Sequence, residues 1–497
     1  MGETAPSAPQ QKTRLWPLAV VALGAAAVTF VAVALLTNIF ERKHTEVTVA
    51  RVVELTDTTY DAATWGLDYP AEYDGFLATA NFTASGHSTA LVPAVAERVV
   101  AGDDTVYPDS RDQTTASKLV ADPRLVTLWK GYAFAIDYRH LRGHQWMLTD
   151  QRETLRVLAR QQPGACLNCH ASTLPVMEEL GQGDIEAGFA AMNKLPYAEA
   201  AALAEHPVQC VDCHDPETMA LRVTRPALAN ALTALKASQG IADYDVNRDA
   251  SSEELRSYVC AQCHVEYYFA GEGKTLTFPW ADGLDINAVW QYYSEVENAD
   301  GTTGFTDFTH AITGAGVVKA QHPEFETWSA GVHAANGVSC ADCHMAYQTV
   351  NSQKVANHQV TNPMADPNAS CGACHSQSEA ELRQRVDVIQ NRFVDSRDRA
   401  LDALTQLIDN IGQAQGVSEA QLDLARQFQN KASFYVDYAY SENSYGFHAP
   451  DYLQRILSQS LDAARQGQLA LLGMTAEQLA ASDVALANAE AADGLGI

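Results

Sequence analysis

All ten cysteines of the chain fall into five copies of one short motif, C-x-x-C-H. The first cysteines of the copies are Cys166, Cys210, Cys260, Cys340 and Cys371. The second cysteines are Cys169, Cys213, Cys263, Cys343 and Cys374, and the histidines are His170, His214, His264, His344 and His375. In c-type haem attachment the two cysteines form thioethers with the porphyrin, and the histidine is the proximal ligand of the iron. The sequence therefore predicts five covalently bound haems.

Other uses of this motif fit the chain less well. A single C-x-x-C-H is also compatible with a redox dithiol or with half of a zinc site. Five copies that leave no cysteine over disfavour both alternatives. A disulfide framework is typical of secreted domains far shorter than this chain of 497 residues.

The charge of the chain limits its partners. The sequence has 61 acidic and 33 basic side chains, which gives a formal net charge of -28. Such a charge argues against nucleic acid or an anionic lipid surface as a partner. An anionic substrate would therefore need a local positive site.

The N-terminal region carries an apolar run at residues 15–40, with basic residues on both sides. A bilayer-spanning helix needs about 20 residues, whereas the apolar part of a signal peptide has about 7–15. The length favours a retained membrane anchor over a cleaved signal, although a long cleaved signal remains an alternative. Because c-type haem belongs to an exported compartment, we expect residues 1–14 in the cytoplasm. The body would then lie on the periplasmic or extracytoplasmic face of the membrane.

The spacing of the motifs predicts the architecture of the body. They are spread between Cys166 and His375 without a long linker rich in Gly, Ser or Pro. We therefore expect one mainly α body at residues 41–377, in which short helices and loops wrap the haems. Strand signals are few, and RVVELTDTTY, from residue 51, is one of them.

The region at residues 378–473 has helical periodicity and no haem motif. Apolar residues from Ser378 to Ile411 recur at spacings of three and four, which predicts one long amphipathic helix. Glycines follow, and Ser418 begins a capping box for a second helix. A third helix is expected from about Asp451 to Leu472. We expect these helices to pack on the haem body, on a second subunit, or on both.

Several longer stretches resemble the pentahaem cytochrome c nitrite reductases, the ammonia-forming family. They are CHVEYYF at 263–269, KAQHPEFETWSAGVH at 319–333, RGH at 142–144, QRETLR at 151–156, LRVTRP at 221–226 and HAP at 448–450. The resemblance runs from about Asp57 to Leu472, so the acidic, alanine-rich tail at 474–497 lies outside it. It implies a nitrite reductase with nitrite as its substrate and ammonium as its product.

The resemblance also implies roles for individual residues. The haem on Cys166 and Cys169 would be the catalytic one, and its distal side would be lined by Arg156, Tyr267 and His322. The other four haems would have two histidine ligands each, with these distal ligands: His358 for the second haem, His144 for the third, His448 for the fourth and His333 for the fifth. Many family members have lysine as the proximal ligand of the first haem. His170 takes that place here, which is typical of the subgroup with C-x-x-C-H at the catalytic haem.

The chemistry of the reaction favours the same three distal residues. Arg156 has a permanently charged planar donor that can hold an anion, which is the local positive site that an acidic protein needs. His322 can donate or accept a proton near neutral pH. Tyr267 adds a third hydrogen-bonding group. Taken one at a time, each residue would more often be a surface or packing residue.

Further expectations come from the resemblance alone. It implies a calcium ion bound by the Glu266 carboxylate, the Gln321 side chain and the backbone carbonyls of Tyr267 and Lys319, and calcium prefers such oxygen ligands. It also implies a homodimer formed through the C-terminal helices. The expected electron donor is a membrane-bound, quinol-oxidising multihaem cytochrome.

Two alternatives stay open at the level of sequence. The protein could be an electron conduit in which every iron has two protein ligands, and a spare histidine such as His310 on the first haem would support that reading. An open first haem could instead serve mainly to reduce hydroxylamine or sulfite.

Overall fold

The computed structural model describes residues 23–31, 33, 51–81, 115–298 and 300–481. The chain divides into two compact units, Met1–Val52 and Val53–Ile497. In the first unit, residues 23–31 and 33 are helical and exposed, and the rest of the predicted anchor lies outside the described residues. Across the described parts of the chain, no helix combines the length and the apolar character needed to cross a membrane.

The second unit is built mainly from short helices, as the sequence predicts. Its shorter α-helices are Ala62–Trp65, Pro70–Ala78, Lys118–Ala121, Arg124–Leu128, Met147–Glu153, Leu155–Leu158, Leu167–His170, Leu174–Gly181, Ile185–Lys194, Tyr197–Leu203, Pro226–Ser238, Val246–Asp249, Ser252–Ala261, Ile286–Glu295, Glu324–Ser329, Val332–Ala335, Cys340–His344 and Pro367–Ser370. Single 3-10 turns lie at Ala133–Ala135, His144–Trp146, Gly164–Cys166, Cys210–Asp212 and Pro363–Ala365.

Strands are confined to small antiparallel hairpins in the described residues. The pairs are Tyr268–Ala270 with Thr275–Thr277, Phe308–Thr309 with Gly316–Val317, and Tyr347–Val350 with Gln353–Ala356. The little β-structure agrees with the mainly α prediction.

The strand candidate at residues 51–60 is wrong. The segment has no strand. Its backbone bonds locally, because Thr59 N–H donates to the carbonyl of Thr56 at 2.9 Å. Val53 N–H donates to the Asp68 carboxylate at 3.3 Å. The apolar residues of this segment pack into a small hydrophobic cluster, in which Leu55 is buried. Threonine-rich turns compete with sheet pairing in this way.

Three long helices follow the last haem motif, and their predicted positions are confirmed. The first C-terminal helix is Glu379–Gln413, the second is Glu419–Ser441 and the third is Pro450–Leu471. The first begins at a Ser378 capping box and the second at the predicted Ser418 capping box. Both boxes satisfy backbone N–H groups that have no partner within the helix.

The C-terminal helices pack on the haem-motif region, which confirms that part of the expectation. The apolar face of the first helix is fully buried at Leu401 and Leu404, in a cluster that also contains Leu125 and Trp129. The indole N–H of Trp129 donates to the carboxylate of Asp437 in the second helix at 3.1 Å. Dimer formation through these helices stays a prediction.

Candidate functional site

Each haem motif lies on a tight helical turn that brings its three functional side chains together. The histidine N–H donates to the carbonyl of the first cysteine at 2.9 Å in the motif of His214, 3.0 Å in that of His264 and 2.9 Å in that of His375. Side chains three and four residues apart lie on one face of such a turn. The second cysteine and the histidine therefore face the same side as the first cysteine, as covalent haem attachment requires.

One buried arginine connects the first three motifs. Arg225 donates from Nε to the carbonyl of Asn168 at 2.6 Å and from Nη1 to the carboxylate of Asp212 at 3.1 Å. Its backbone N–H donates to the Gln262 side chain at 3.1 Å. Asn168, Asp212 and Gln262 are the residues immediately before the second cysteines of the first three motifs. We call these four residues, none more than 1% exposed, the Arg225 hub.

The fourth motif is connected to the third, and the fifth is connected to the fourth. Asp342 of the fourth motif accepts a 2.6 Å hydrogen bond from Arg256, which lies on the helix that leads into the third motif. Thiols of neighbouring motifs also lie close together, because Cys169 and Cys263 shift each other's pKa, as do Cys260 and Cys340. Cys343 and Cys371 lie close enough to interact electrostatically. The attachment sites are therefore contiguous in the order first, third, fourth and fifth, with the second joined through the Arg225 hub.

Four of the motif histidines have another imidazole facing them. The ring-centroid distances are 6.1 Å for His214–His358, 6.4 Å for His264–His144, 6.3 Å for His344–His448 and 6.3 Å for His375–His333. A metal–imidazole bond is about 2 Å, so two such bonds and two ring radii of about 1 Å span about 6 Å. These spacings fit one iron between each pair. They are the pairs that the resemblance implies.

The first motif differs from the other four. Within the described ranges, no imidazole faces His170 in a comparable ring contact. Burial, and then the nearby Arg156 charge, lowers the pKa of His170 to about 4.

The spare histidine His310 is engaged elsewhere. Its Nε2 is 2.8 Å from the carbonyl of Thr127. Its Nδ1 accepts from the N–H groups of Ile312 and Thr313 at 3.3 and 3.4 Å. Both ring nitrogens therefore already have protein partners.

Arg156 has the features of an anion-binding residue. It lies on the Leu155–Leu158 helix, which Thr154 caps. Its guanidinium carbon is 4.2 Å from the centre of the Phe134 ring, and its Nε donates to the Thr154 hydroxyl at 3.3 Å. In the part of the chain that the structure describes, no carboxylate lies within ion-pairing distance of this guanidinium. Its terminal N–H groups can therefore serve a ligand.

Tyr267 and Tyr268 have separate environments because side chains alternate along extended backbone. Tyr267 packs beside Phe269, with ring centroids 5.6 Å apart. The Tyr268 hydroxyl lies 3.0 Å from that of Tyr292, and the Tyr268 ring belongs to the core of the C-terminal helices. Burial raises the pKa of Tyr267 well above its ordinary value, so the phenol keeps its proton near neutral pH.

His322 is held beside the third motif. Its backbone N–H donates to the carbonyl of Val265 at 3.2 Å, which ties its loop to the segment that carries Tyr267. Burial, followed by the effect of His264, lowers the pKa of His322 well below its ordinary value. The imidazole is therefore neutral near neutral pH. Arg156 lowers the pKa of His170, and His170 in turn contributes to the lowered pKa of His322, so both side chains lie in the region of His170.

The predicted calcium ligands also come together. Glu266 is fully buried, and its carboxylate accepts from the backbone N–H of Gln321 at 2.6 Å and from the Tyr293 hydroxyl at 2.8 Å. The Gln321 amide N–H donates to the carbonyl of Lys319 at 2.9 Å. The Lys319 ammonium is directed away, 3.1 Å from Asp437.

This oxygen set fits a cation. Among the described residues no arginine or lysine forms an ion pair with Glu266, and burial raises its pKa well above the ordinary value. A buried carboxylate without a counter-charge is costly, and a bound cation would remove that cost. The described residues contain no cluster of three His, Cys, Asp or Glu that could hold a metal. The set at Glu266 has one carboxylate, and its other oxygens are amide and carbonyl groups, which calcium accepts.

The Arg225 hub is a feature that the sequence did not reveal. Arg225 lies within the LRVTRP stretch, but nothing in the stretch predicts which residues the guanidinium contacts. Its partner carbonyl at Asn168 is 57 positions earlier. A contact over that separation leaves no local pattern.

Five C-x-x-C-H turns held in one helical unit, with imidazole pairs spaced for iron, define a multihaem c-type cytochrome. The chain belongs to the cytochrome c552 family, whose model matches residues 61–494. This membership confirms the resemblance to the pentahaem family. The match extends beyond Leu472, so the expectation that the tail lies outside the resemblance is wrong. Leu479 of that tail is 1% exposed and belongs to the core of the C-terminal helices.

Individual relatives agree with the family assignment. Cytochrome c-552 of Bacteroides fragilis ATCC 25285 is 32% identical over 487 residues, 96% of this chain and 90% of that protein. Cytochrome c-552 of Parabacteroides distasonis ATCC 8503 is 34% identical over 444 residues, 87% of this chain and 79% of that protein. Among solved structures, the catalytic subunit of cytochrome c nitrite reductase from Desulfovibrio desulfuricans ATCC 27774 is 29% identical, with a TM-score of 0.71 over 86% of this chain and 89% of that one. That structure has two calcium sites.

Proposed function

We propose that the protein reduces nitrite to ammonium at the haem of the first motif. The observation that carries the proposal is the contrast around His170. Four motif histidines face a second imidazole, whereas His170 faces none among the described residues and has an arginine without a carboxylate partner nearby. The similarity to the Desulfovibrio desulfuricans nitrite reductase supports the same reaction.

The reaction converts nitrite, six electrons and eight protons into ammonium and two waters. The haem, when bound, supplies a coordination position and delivers the electrons. Arg156 holds the oxygens of nitrite through its terminal N–H groups and compensates their negative charge. Tyr267 donates a hydrogen bond from its protonated phenol. His322, which is neutral, accepts or donates a proton at its ring nitrogens.

In this proposal the four facing histidine pairs would hold the irons of the other haems. His358 is the distal ligand of the second haem, His144 of the third, His448 of the fourth and His333 of the fifth. Haems held by two histidines each would only pass electrons. Their contiguous attachment sites make them a relay that ends at the first haem.

A calcium ion completes the site in the proposal. It would be held by the Glu266 carboxylate, the Gln321 side chain and the carbonyls of Tyr267 and Lys319. The ion would compensate the buried charge of Glu266 and fix the loop that carries His322. The Gln321 amide would have to turn its oxygen toward the ion, which is a change of one side-chain torsion.

The cellular setting is proposed from the sequence. Residues 15–40 anchor the protein to the cytoplasmic membrane, with residues 1–14 in the cytoplasm and the haem body, residues 41–377, on the periplasmic face. The C-terminal helices of residues 378–473 carry a homodimer interface, and a membrane-bound quinol-oxidising multihaem cytochrome supplies electrons. The membership in a cytochrome family supports an exported location, because c-type haem is attached there.

The engagement of His310 favours catalysis over a pure electron conduit. That alternative needs a second protein ligand on the first haem. Thr127, Ile312 and Thr313 occupy both ring nitrogens of His310, so it would have to break three hydrogen bonds to become that ligand.

Anaerobic turnover with a reduced viologen as the electron donor tests the proposal. The haem-loaded protein should convert nitrite to ammonium stoichiometrically, and Arg156→Ala should lower kcat/KM by about 100-fold or more, as loss of one charge-stabilising donor does. Arg160→Ala is the matched control, because this exposed arginine lies four residues further along and should leave turnover unchanged. A wild-type protein with five reducible haems that leaves nitrite untouched would overturn the proposal in favour of the electron conduit.

A further inference from the structure

One histidine of the four facing pairs has a carboxylate on its second ring nitrogen. The Nδ1 of His448 lies 2.5 Å from Oε1 of Glu442, and the Glu442 side chain is fully buried. Oε2 of Glu442 accepts from the Ser444 hydroxyl at 2.8 Å. The same hydroxyl accepts from the backbone N–H of His448 at 2.9 Å. Ser444 therefore fixes the carboxylate against the imidazole.

Four of the other facing histidines have weaker partners. His214, His344 and His358 each have Nδ1 close to a backbone carbonyl, at 3.0, 3.1 and 2.9 Å respectively. His264 has a carboxylate in its vicinity, but Glu324 is 3.9 Å away, which is too long for a hydrogen bond. Among the described residues, His448 alone combines a facing imidazole with a carboxylate oxygen in ion-pairing contact with its Nδ1.

The charge of Glu442 has no other compensation nearby. In the described ranges no lysine or arginine forms an ion pair with it, and its remaining contacts are to Ser444. A buried carboxylate is stable only when it is paired and hydrogen-bonded. The positive partner must therefore come from His448 and from whatever the imidazole binds.

A carboxylate beside the imidazole nitrogen that does not bind the iron makes the ring a stronger electron donor, because the shared N–H proton shifts toward the carboxylate oxygen. A stronger axial donor and a nearby negative charge both stabilise ferric iron relative to ferrous iron. Both effects therefore lower the reduction potential. A carbonyl partner gives a smaller effect, since it carries no net charge.

We propose that Glu442 is a positioning and tuning residue that makes the haem between His344 and His448 the one with the lowest potential of the four histidine-paired haems. The inference rests on the proposed axial ligands, but not on nitrite being the substrate.

The position of the fourth haem among the attachment sites explains how a low potential there would direct electron transfer. The fourth attachment site lies between the third, through Cys260 and Cys340, and the fifth, through Cys343 and Cys371. An electron on the third haem must climb in energy to move to the fourth. It therefore moves preferentially to the first haem, which adjoins the third through Cys169 and Cys263.

Spectroelectrochemical titration of the haem-loaded protein tests the inference. In Glu442→Gln, which keeps the shape but removes the charge, one of the five transitions should move to higher potential while the other four stay in place. The moving transition should be the lowest of the histidine-paired haems in the wild type. Glu442→Asp keeps the charge but withdraws it from Nδ1 by one methylene, so its shift should have the same sign and be smaller.

Two further variants test whether the carboxylate causes the shift and which haem shifts. Ser444→Ala keeps the carboxylate and should give only a small shift. His448→Met should move the same transition as Glu442→Gln, which assigns that transition to the fourth haem. Five unchanged potentials in Glu442→Gln, or an equal shift of all five, would overturn the inference. If Glu442→Gln fails to load five haems, Glu442→Asp carries the test, and unchanged potentials in that variant overturn it equally.

The outcome is independent of turnover. A wild-type protein that does not reduce nitrite, but whose lowest potential moves in Glu442→Gln, would refute the proposed reaction and support the tuning. Normal turnover with unmoved potentials would support the proposed reaction and refute the tuning.

Discussion

Replacing Arg225 by methionine removes the centre of the hub that connects three haem motifs. Methionine is unbranched and uncharged, so it replaces the aliphatic part of arginine and removes the guanidinium. It deprives the Asp212 carboxylate of its partner and leaves the carbonyls of Asn168 and Ala171 without their side-chain donors. All the groups involved are buried, so water cannot replace the lost bonds without opening the hub.

The expected loss of stability follows from these contacts. Breaking a buried ion pair by removing one partner costs about 3–5 kcal/mol. Each buried carbonyl left without a donor adds about 1–3 kcal/mol. The lower limits together give about 5 kcal/mol, a large part of the total of about 5–15 kcal/mol that folded domains have. Arg225→Lys keeps the charge but lacks the planar fork, so it should lose at least about 2 kcal/mol from the two carbonyls.

Guanidinium unfolding of the haem-loaded protein, followed by circular dichroism, measures these losses. The double variant Arg225→Met/Asp212→Asn removes both charges and should be about 1–3 kcal/mol more stable than Arg225→Met alone, because the two residues are coupled. Arg455→Met is the control, since its 2.7 Å ion pair with Asp285 is about half exposed and worth about 0–1 kcal/mol. A loss below about 1 kcal/mol in Arg225→Met, or a double variant no more stable than the single one, would refute the reasoning.

Two further predictions concern the calcium ligands and the C-terminal helices. Removal of bound calcium by a chelator should reversibly lower the nitrite turnover of the wild type. The turnover of Glu266→Gln should be low from the start and should not respond to added calcium. Equal wild-type turnover with and without calcium would contradict the site. Ser418→Ala should destabilise the protein by about 1 kcal/mol in guanidinium unfolding, because the second C-terminal helix loses its cap. Ser418→Asp, which restores a capping oxygen, should recover most of that loss, and an unchanged midpoint in Ser418→Ala would contradict the role of the cap.

The parts of the structure that the sequence predicted depend on local patterns. The haem turns follow from the spacing of cysteine and histidine, and the C-terminal helices follow from apolar periodicity and the capping boxes at Ser378 and Ser418. The failed strand at residues 51–60 shows the limit of such patterns. Its β-branched residues fit a strand, but no neighbouring segment offers a partner, so local turns form instead.

The contacts that sequence reasoning missed are long-range or depend on side-chain direction. Arg225 contacts motifs that come both before and after it in the chain, and no periodicity records such a meeting. Glu442 lies six positions before His448 in an irregular segment, where spacing does not predict which side chains meet. The imidazole pairs were expected only from the family resemblance, because ten spare histidines give no rule for choosing partners.

The contact between Asp437 and Lys319 means that the haem body cannot be isolated as a smaller working fragment. Asp437 belongs to the second C-terminal helix and holds the Lys319 ammonium at 3.1 Å and the Trp129 indole at 3.1 Å. A chain that ended at residue 377 would leave the Trp129 indole without its acceptor and the Lys319 ammonium without its counter-charge, and it would also lack His448. Shortened versions of the protein should therefore fail in haem maturation before any question of turnover arises, and domain-swap engineering has to exchange the helices together with the haem motifs.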